Sequence, residues 1–253
     1  MKAMKRYLYD GTADGLFSAI SWILEEEAEP DNIVLAEREQ TLFEDGFFIN
    51  TDSIQAEQLF TRLRNRAPDA AYTLYLFMLA EKGGMESSML HYISLVFTHG
   101  DKVSGYLTHP AVRDIVSTAK KAGRELHRMK GLLRFEQLQD GAYLAKMEPD
   151  HNIIQPLASY FRTRLRGQHW FLYDVKRRTA AQWSSGVLQF GAIEQFITPA
   201  LSEDEKKVQL LWQTFFKTIA ISDRKNPRLQ KSNMPMKYWK YLTEKQGGEV
   251  EKF

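Results

Sequence analysis

Four residues in the second half of the chain have side chains suited to acid–base or phosphodiester chemistry: Glu125, His127, His151 and Asp174. Imidazole moves a proton near neutral pH, and a carboxylate can orient it, hold a metal or act on a phosphodiester. Spacing restricts the pairs they can form. Residues two apart on a helix diverge by about 200°, so Glu125 and His127 do not share a face. His127 serves equally as a phosphate contact or a structural residue. His151 stands in Pro149-Asp150-His151-Asn152, where a loop hydrogen bond is the simpler role. Asp174 is followed by Lys176-Arg177-Arg178, so an ion pair competes with catalysis there. His91, His99 and His109 fall in helical contexts and read as structural, and His169 stands beside Trp170.

Several chemistries are excluded by composition. The 253 residues include no cysteine, hence no disulfide, no thiolate nucleophile and no Cys-held zinc or iron–sulfur cluster. There is no Gly-rich phosphate loop followed by Lys-Ser/Thr, no dinucleotide fingerprint and no zinc-protease His pair. No cofactor is expected of this chain. No apolar run approaches a membrane span and the first residues lead straight into a strand-like segment, so the expected place is the cytoplasm.

Charge is divided unevenly. Residues 1–99 hold 8 Lys/Arg against 16 Asp/Glu, whereas residues 113–134 carry seven basic and two acidic side chains. Residues 160–180 carry six against one, and 217–240 seven against one. Any one such cluster can be a solvated face. Three together, each close to aromatics, form the footprint of a surface that meets a polyanion. The expected groove is lined by Arg124, His127, Arg134, Arg164, Arg177, Arg178, Arg224 and Lys237, with Asn226 and Gln230 as polar contacts. Trp239, Tyr241 and Tyr160 are candidate base platforms, while Phe161, Trp212 and Phe215 fall at core spacing.

The elements that must position these residues give an α+β protein. The first half, 1–130, is mainly helical and acidic, with a short strand at Arg6–Tyr9 and a second segment at Ile33–Ala36 that reads as a strand. Thr12 or Asp14 caps a helix carrying Leu16, Ile20, Ile23 and Leu24, which ends in the solvated run Glu25-Glu26-Glu27 and Glu29-Pro30-Asp31. Asp52 with Gln55 opens a helix through Leu59 and Leu63, and two more fill 68–82 and 85–99. An amphipathic helix over 109–130 buries Val112, Ile115, Val116, Ala119, Leu126 and Met129. The basic half, 131–245, is mixed, and the two halves form one integrated domain or two intimate ones. Antiparallel strand pairs, Leu132–Leu138 with Ala142–Met147 and Trp170–Val175 with Thr179–Trp183 and Val187–Phe190, surround a helix with Ile154, Leu157, Ala158, Phe161 and Leu165 on its buried face. C-terminal helices follow. Ser202 and Glu205 cap one predicted to bury Val208, Leu211, Trp212, Phe215 and Ile219, and a frayed tail occupies 246–253.

Several blocks resemble a bacterial family of DNA-metabolism or DNA-repair proteins. They are Tyr9-Asp10-Gly11-Thr12, Glu125-x-His127-Arg128-x-Lys130-Gly131-Leu132-x-Arg134-Phe135, Pro149-x-His151-Asn152 with Phe161-x-x-Arg164, Trp170 through Arg177, Arg224-x-Asn226, and Met234-Pro235-x-Lys237-Tyr238-Trp239. The likeness spans roughly 5–244. It implies a nucleic-acid context and a radical-SAM protein encoded nearby as partner, which would hold its own cluster; some members also carry a uracil-DNA-glycosylase-like domain. It names no reaction. Three readings stand: a DNA- or RNA-binding protein of a repair or processing system, a base- or phosphodiester-directed hydrolase acting in the same groove, and a module docking an acidic partner.

Overall fold

A computed structural model describes residues 5–26, 30, 33–37, 46–219, 221 and 226–246, which divide into two units, 1–123 and 124–253. Glu27, Glu29 and Asp31 of the acidic run, Arg224 and the tail from Gly247 lie outside the described residues. The architecture is α+β.

In the first unit β1 (Lys5–Tyr9) lies between β2 (Ile33–Glu37) and β3 (Phe47–Phe48), and both pairings are parallel. The expected strands are present but the sheet they form was not foreseen, because β3 is two residues long and leaves no periodicity to read. Helices α1 (Ala13–Glu25), α2 (Ser53–Arg66), α3 (Pro68–Met78) and α4 (Met85–His99) follow their predicted positions, and Thr12 and Asp52 cap α1 and α2. At the end of β1, Asp10 accepts hydrogen bonds from the Thr12 and Thr51 hydroxyls, both at 2.6 Å. A Cβ on residue 15 would stand 2.0 Å from the Asp10 carboxylate, so glycine is required there.

Helix α5 (Pro110–Leu132) starts in the first unit and ends in the second. It overruns the strand expected from Leu132, because Leu133 still donates to the Met129 carbonyl and Gly131, on the solvated side, interrupts nothing. Only β4 (Glu136–Gln137) remains of that strand. Asp140 accepts from the Ala142 N–H and Gly141 adopts φ +84°, which forms the expected hairpin into β5 (Tyr143–Met147). Then come α6 (Ile154–Arg164), β6 (Trp170–Asp174), β7 (Thr179–Ser184) and β8 (Val187–Ala192). The sheet runs in order β4-β5-β6-β7-β8. Its strand pairs are antiparallel as expected, and a parallel β5–β6 contact, crossed over by α6, joins them into one sheet.

Strand alternation gives the sheet two different faces. Leu157, Ala158 and Phe161 of α6 cover the face that includes Trp170 and Leu172, and Phe135 packs edge-on to both Phe161 and Trp170. The opposite face carries Leu144 and Tyr173, with Leu138, Ala142 and Phe196 packed on them. A cavity of about 440 Å³ opens there.

Helix α7 (Glu203–Thr218) corrects the prediction. Val208, Leu211, Trp212, Phe215 and Ile219 were expected in a core, yet α7 buries no residue and all five side chains are exposed. The helix docks instead through side-chain hydrogen bonds. Gln209 donates to Glu136, Gln213 to the Thr243 carbonyl and the Trp212 indole to Glu244. Helix α8 (Pro227–Asn233) and 3-10 turns at Met236–Tyr241 and Thr243–Lys245 complete the described chain. Among the described residues no helix is long and apolar enough to cross a membrane.

Candidate functional site

The loop from the end of β5 to α6 is where polar groups converge. It lies at the carboxyl ends of the two parallel strands, the edge of an α/β sheet where the outgoing loops gather. From α5 the buried Glu125 accepts the backbone N–H groups of Asp150 and His151, both at 2.9 Å. The His151 ring meets the same carboxylate through Nδ1 at 2.5 Å, and the Lys237 ammonium stands 3.0 Å away. The Tyr238 hydroxyl donates to it as well, and Lys237 also bridges to Asp150.

The other side of the loop is held from β6. Asp174, fully buried, accepts from the Lys176 and Arg177 N–H groups and from the Arg177 guanidinium at 3.1 Å. Arg177 then donates to the carbonyls of Pro149 and Asp150 at 3.3 and 2.9 Å. One carboxylate thus takes the loop's donors and one guanidinium takes its acceptors, so the 149–151 backbone is satisfied from both directions. Beyond it, Glu148 accepts from Lys240 and from the Tyr241 hydroxyl.

The electrostatics follow from these contacts. Burial is the largest influence on Glu125 and pushes its pKa up, but the Tyr238 hydroxyl, the two loop N–H groups and His151 together hold it down to about 2. Asp174 goes the other way: burial outweighs Arg177 and raises its carboxyl above the ordinary value. Burial opposes the charge on Lys237, yet its contacts with Asp150, Tyr238 and Glu125 raise its pKa overall. Burial and the adjacent Glu125 carboxylate raise the Tyr238 phenol.

With Nδ1 turned to Glu125, the Nε2 of His151 bonds to no described residue. In the neutral ring this fixes the proton on Nδ1 and leaves a lone pair at Nε2, the arrangement of an oriented base. Of the four sequence candidates, Glu125 and His151 therefore meet. Asp174 is tied to Arg177 behind the same loop, and His127 stands on the exposed side of α5. Among the described residues no group of three or more His, Asp or Glu is arranged to hold a metal.

The basic candidates separate into internal and outward groups. Arg134 closes the end of α5: it donates to the Gly131 and Leu133 carbonyls and makes a bidentate pair with Glu244, its Nε 3.1 Å and its Nη2 2.6 Å from the carboxylate. Arg177 and Lys237 belong to the loop cluster. Asn226 caps α8 by accepting the Leu229 N–H, and Gln230 lies half-buried on α8. The Trp239 indole donates to the Met234 carbonyl while Lys245 covers its ring at 4.6 Å. Arg124, His127, Arg164 and Arg178 are exposed.

Around Arg164 a constellation forms that the initial selection held only in part. Lys130, from the last turn of α5, sits 5.0 Å from the centre of the Tyr160 ring, whose hydroxyl receives Arg164 at 3.4 Å. Arg162 and Arg166 are exposed as well, Arg162 about 200° round α6 from Tyr160 and Arg166 just past the end of the helix, and none of these four cations makes an ion pair with a described carboxylate. The available signal was the absence of any Asp or Glu between 151 and 173. Tyr238, 113 residues from Glu125, had no local signal at all.

A family model described as a domain of unknown function, DUF4130, matches residues 83–244. No curated protein and no solved structure matches the chain.

Proposed function

The chain belongs to the DUF4130 family, and we propose that its second unit binds nucleic acid, DNA in the first place, along α6 and the end of α5. The observation that carries the reading is the set Lys130, Arg162, Arg164 and Arg166, four cations with no ion pair to a described carboxylate, two of which, Lys130 and Arg164, meet at the Tyr160 ring. The unit as a whole holds 22 Lys/Arg against 14 Asp/Glu, while the first holds 12 against 18. The internal ion pairs matter as much. Lys237 and Lys240 pair with Glu125, Asp150 and Glu148, which cuts three negative charges nearest the loop to a net of one and weakens their opposition to an approaching phosphate chain. Guanidinium groups then take phosphate oxygens in pairs, and Tyr160 offers an edge or a face to an unstacked base.

The resemblance of the sequence blocks supports a repair or DNA-processing setting with a radical-SAM protein as partner; co-purification of the two proteins tests that part. Binding itself is tested with fluorescent single-stranded, duplex and uracil-containing DNA across a salt series. Four phosphate contacts give a log–log salt slope of roughly −3 to −4 on duplex, a loss of about a hundredfold between 50 and 200 mM. Arg164→Ala and Arg166→Ala each reduce the slope by about one, whereas Lys240→Ala leaves it unchanged. Absence of binding at low salt removes this reading and leaves a module that docks an acidic protein.

A second reading has its own observation, the Glu125–His151 pair with Nε2 unbonded. In it His151 accepts a proton from water attacking a phosphodiester or glycosidic bond of the bound strand. Strand cleavage or base release by the wild type, lost in His151→Asn with DNA binding retained, would establish it. Equal inactivity of both proteins on every substrate would remove it.

A further inference from the structure

Helix α7 is amphipathic but turned so that its apolar stripe does not face its own unit. Its half-buried side is Glu205, Gln209, Gln213 and Phe216, and the hydrogen bonds of Gln209 and Gln213 hold it there. The apolar stripe Val208, Leu211, Phe215 and Ile219 lies one position further round, about 100° away. These four side chains are 55, 69, 51 and 59% exposed. The start of the helix is held by backbone contacts as well: Ser202 N–H bonds the Gln137 carbonyl, Gln139 N–H bonds the Ala200 carbonyl, and Leu138 bridges to Leu201.

We propose that this stripe is a self-association surface, packed in solution against α7 of a second copy of the chain about a two-fold axis. Steps of three and four residues are those of a helix–helix seam, and a seam that is apolar along its length complements itself. In an antiparallel pair centred near Leu211, Val208 of one copy lies opposite Phe215 of the other, small against large. Charge does not oppose the approach although the unit as a whole is basic: at the head of the helix Lys206 pairs with Glu203 and Lys207 with Asp204. The stripe, with the exposed part of Trp212, offers on the order of 500 Å² per copy, or about 1,000 Å² in the pair, the lower bound of a biological interface and the size of a weak, reversible one. A patch of this extent matches the largest that a typical monomer exposes, and such patches often serve a function. The inference does not rest on the nucleic-acid reading.

Sedimentation equilibrium of the full chain from about 1 to about 100 µM, which brackets the micromolar dissociation constants of a reversible dimer, tests it. The wild type is expected to approach twice its 29.4 kDa mass, and Leu211→Glu and Phe215→Glu to weaken association at least tenfold each. Because the chain has no cysteine, Leu211→Cys gives a second readout: mild oxidation should link copies through position 211, while Tyr72→Cys, also exposed but in the first unit, should not. A wild type of monomer mass throughout the range would overturn the proposal, as would a dimer indifferent to both glutamates. Collapse of the circular-dichroism signal in Leu211→Glu would also overturn it, since the residue would then belong to a core.

Discussion

Helices α6 and α7 carry the same kind of amphipathic pattern and meet opposite environments. In α6 the apolar residues Ile154, Leu157, Ala158 and Phe161 are all buried, and Arg162 and Arg164 face outward. In α7 the corresponding stripe is outward and amide side chains make the contact. The difference follows from connectivity. A helix that crosses over between two parallel strands must lie on their sheet, so its apolar face has a partner before any side chain is chosen. Helix α7 follows a bridge at the sheet's edge and does not cross over between strands; its docked side meets Glu136, Thr243 and Glu244 through hydrogen bonds. Periodicity therefore identifies a helix and its stripe, while topology decides what the stripe meets.

The comparison breaks most visibly at the loop that leads into α6. Glu125→Ala leaves two N–H groups, a phenol, an imidazole and an ammonium without their common acceptor, and is expected to cost about 3–5 kcal/mol. Urea unfolding measures it, and amide exchange at Asp150 and His151 should accelerate first. A cost below about 1 kcal/mol, the net worth of a single ordinary hydrogen bond, would show that the loop holds its shape without the carboxylate.

Next in size is a matched pair of truncations. Leu157 is fully buried, so Leu157→Ala should destabilise by about 2–5 kcal/mol, whereas Leu211→Ala on the monomer should stay within about 0.5 kcal/mol. Equal costs would mean that α7 has a core contact after all. Acid offers a comparable lever. The Glu125 pKa is held at about 2 when folded, against an ordinary 4.5, so its stabilisation is present above pH 4.5 and is lost as pH falls toward 2. Burial raises Asp174, so protonation relieves that group and offsets part of the loss. The contribution of Glu125 is on the order of 3 kcal/mol, and Glu125→Gln should flatten the fall in stability between about pH 5 and 3.

How much of this was legible in the sequence varied with distance along the chain. Caps at Thr12, Asp52 and Ser202, the hairpin at Asp140-Gly141 and the helix over 109–130, short of its end at Leu132, are local and were readable. So was the rule that Glu125 and His127 cannot pair. The partner that Glu125 does have, His151, lies 26 residues away across a β-hairpin, and Lys237 and Tyr238 lie more than 110 away. No spacing rule reaches that far. The same distance hid which cations are consumed internally: Arg134 with Glu244 is as arginine-like in sequence as Arg164, which has no carboxylate. The parallel sheet of the first unit was missed for a third reason, the brevity of β3.

The smallest expected effect tests the polar attachment of α7 directly. Gln213 donates to the Thr243 carbonyl at 3.0 Å and is half-buried, so Gln213→Ala removes one neutral hydrogen bond, a cost of about 0.5–1.5 kcal/mol. The informative comparison is Gln213→Leu, which keeps the volume and adds an apolar group on the docked side. If the orientation of α7 follows from its hydrogen bonds, the substituted helix has apolar groups on two sides and only the Gln209 amide left to choose between them. It then rolls, which should shield Trp212 and shift its fluorescence to the blue. If the pinned residues 200–202 alone fix the helix, fluorescence stays put and only the single hydrogen bond is lost. The first outcome assigns the outward stripe to side-chain amides, and the second to the backbone that precedes them.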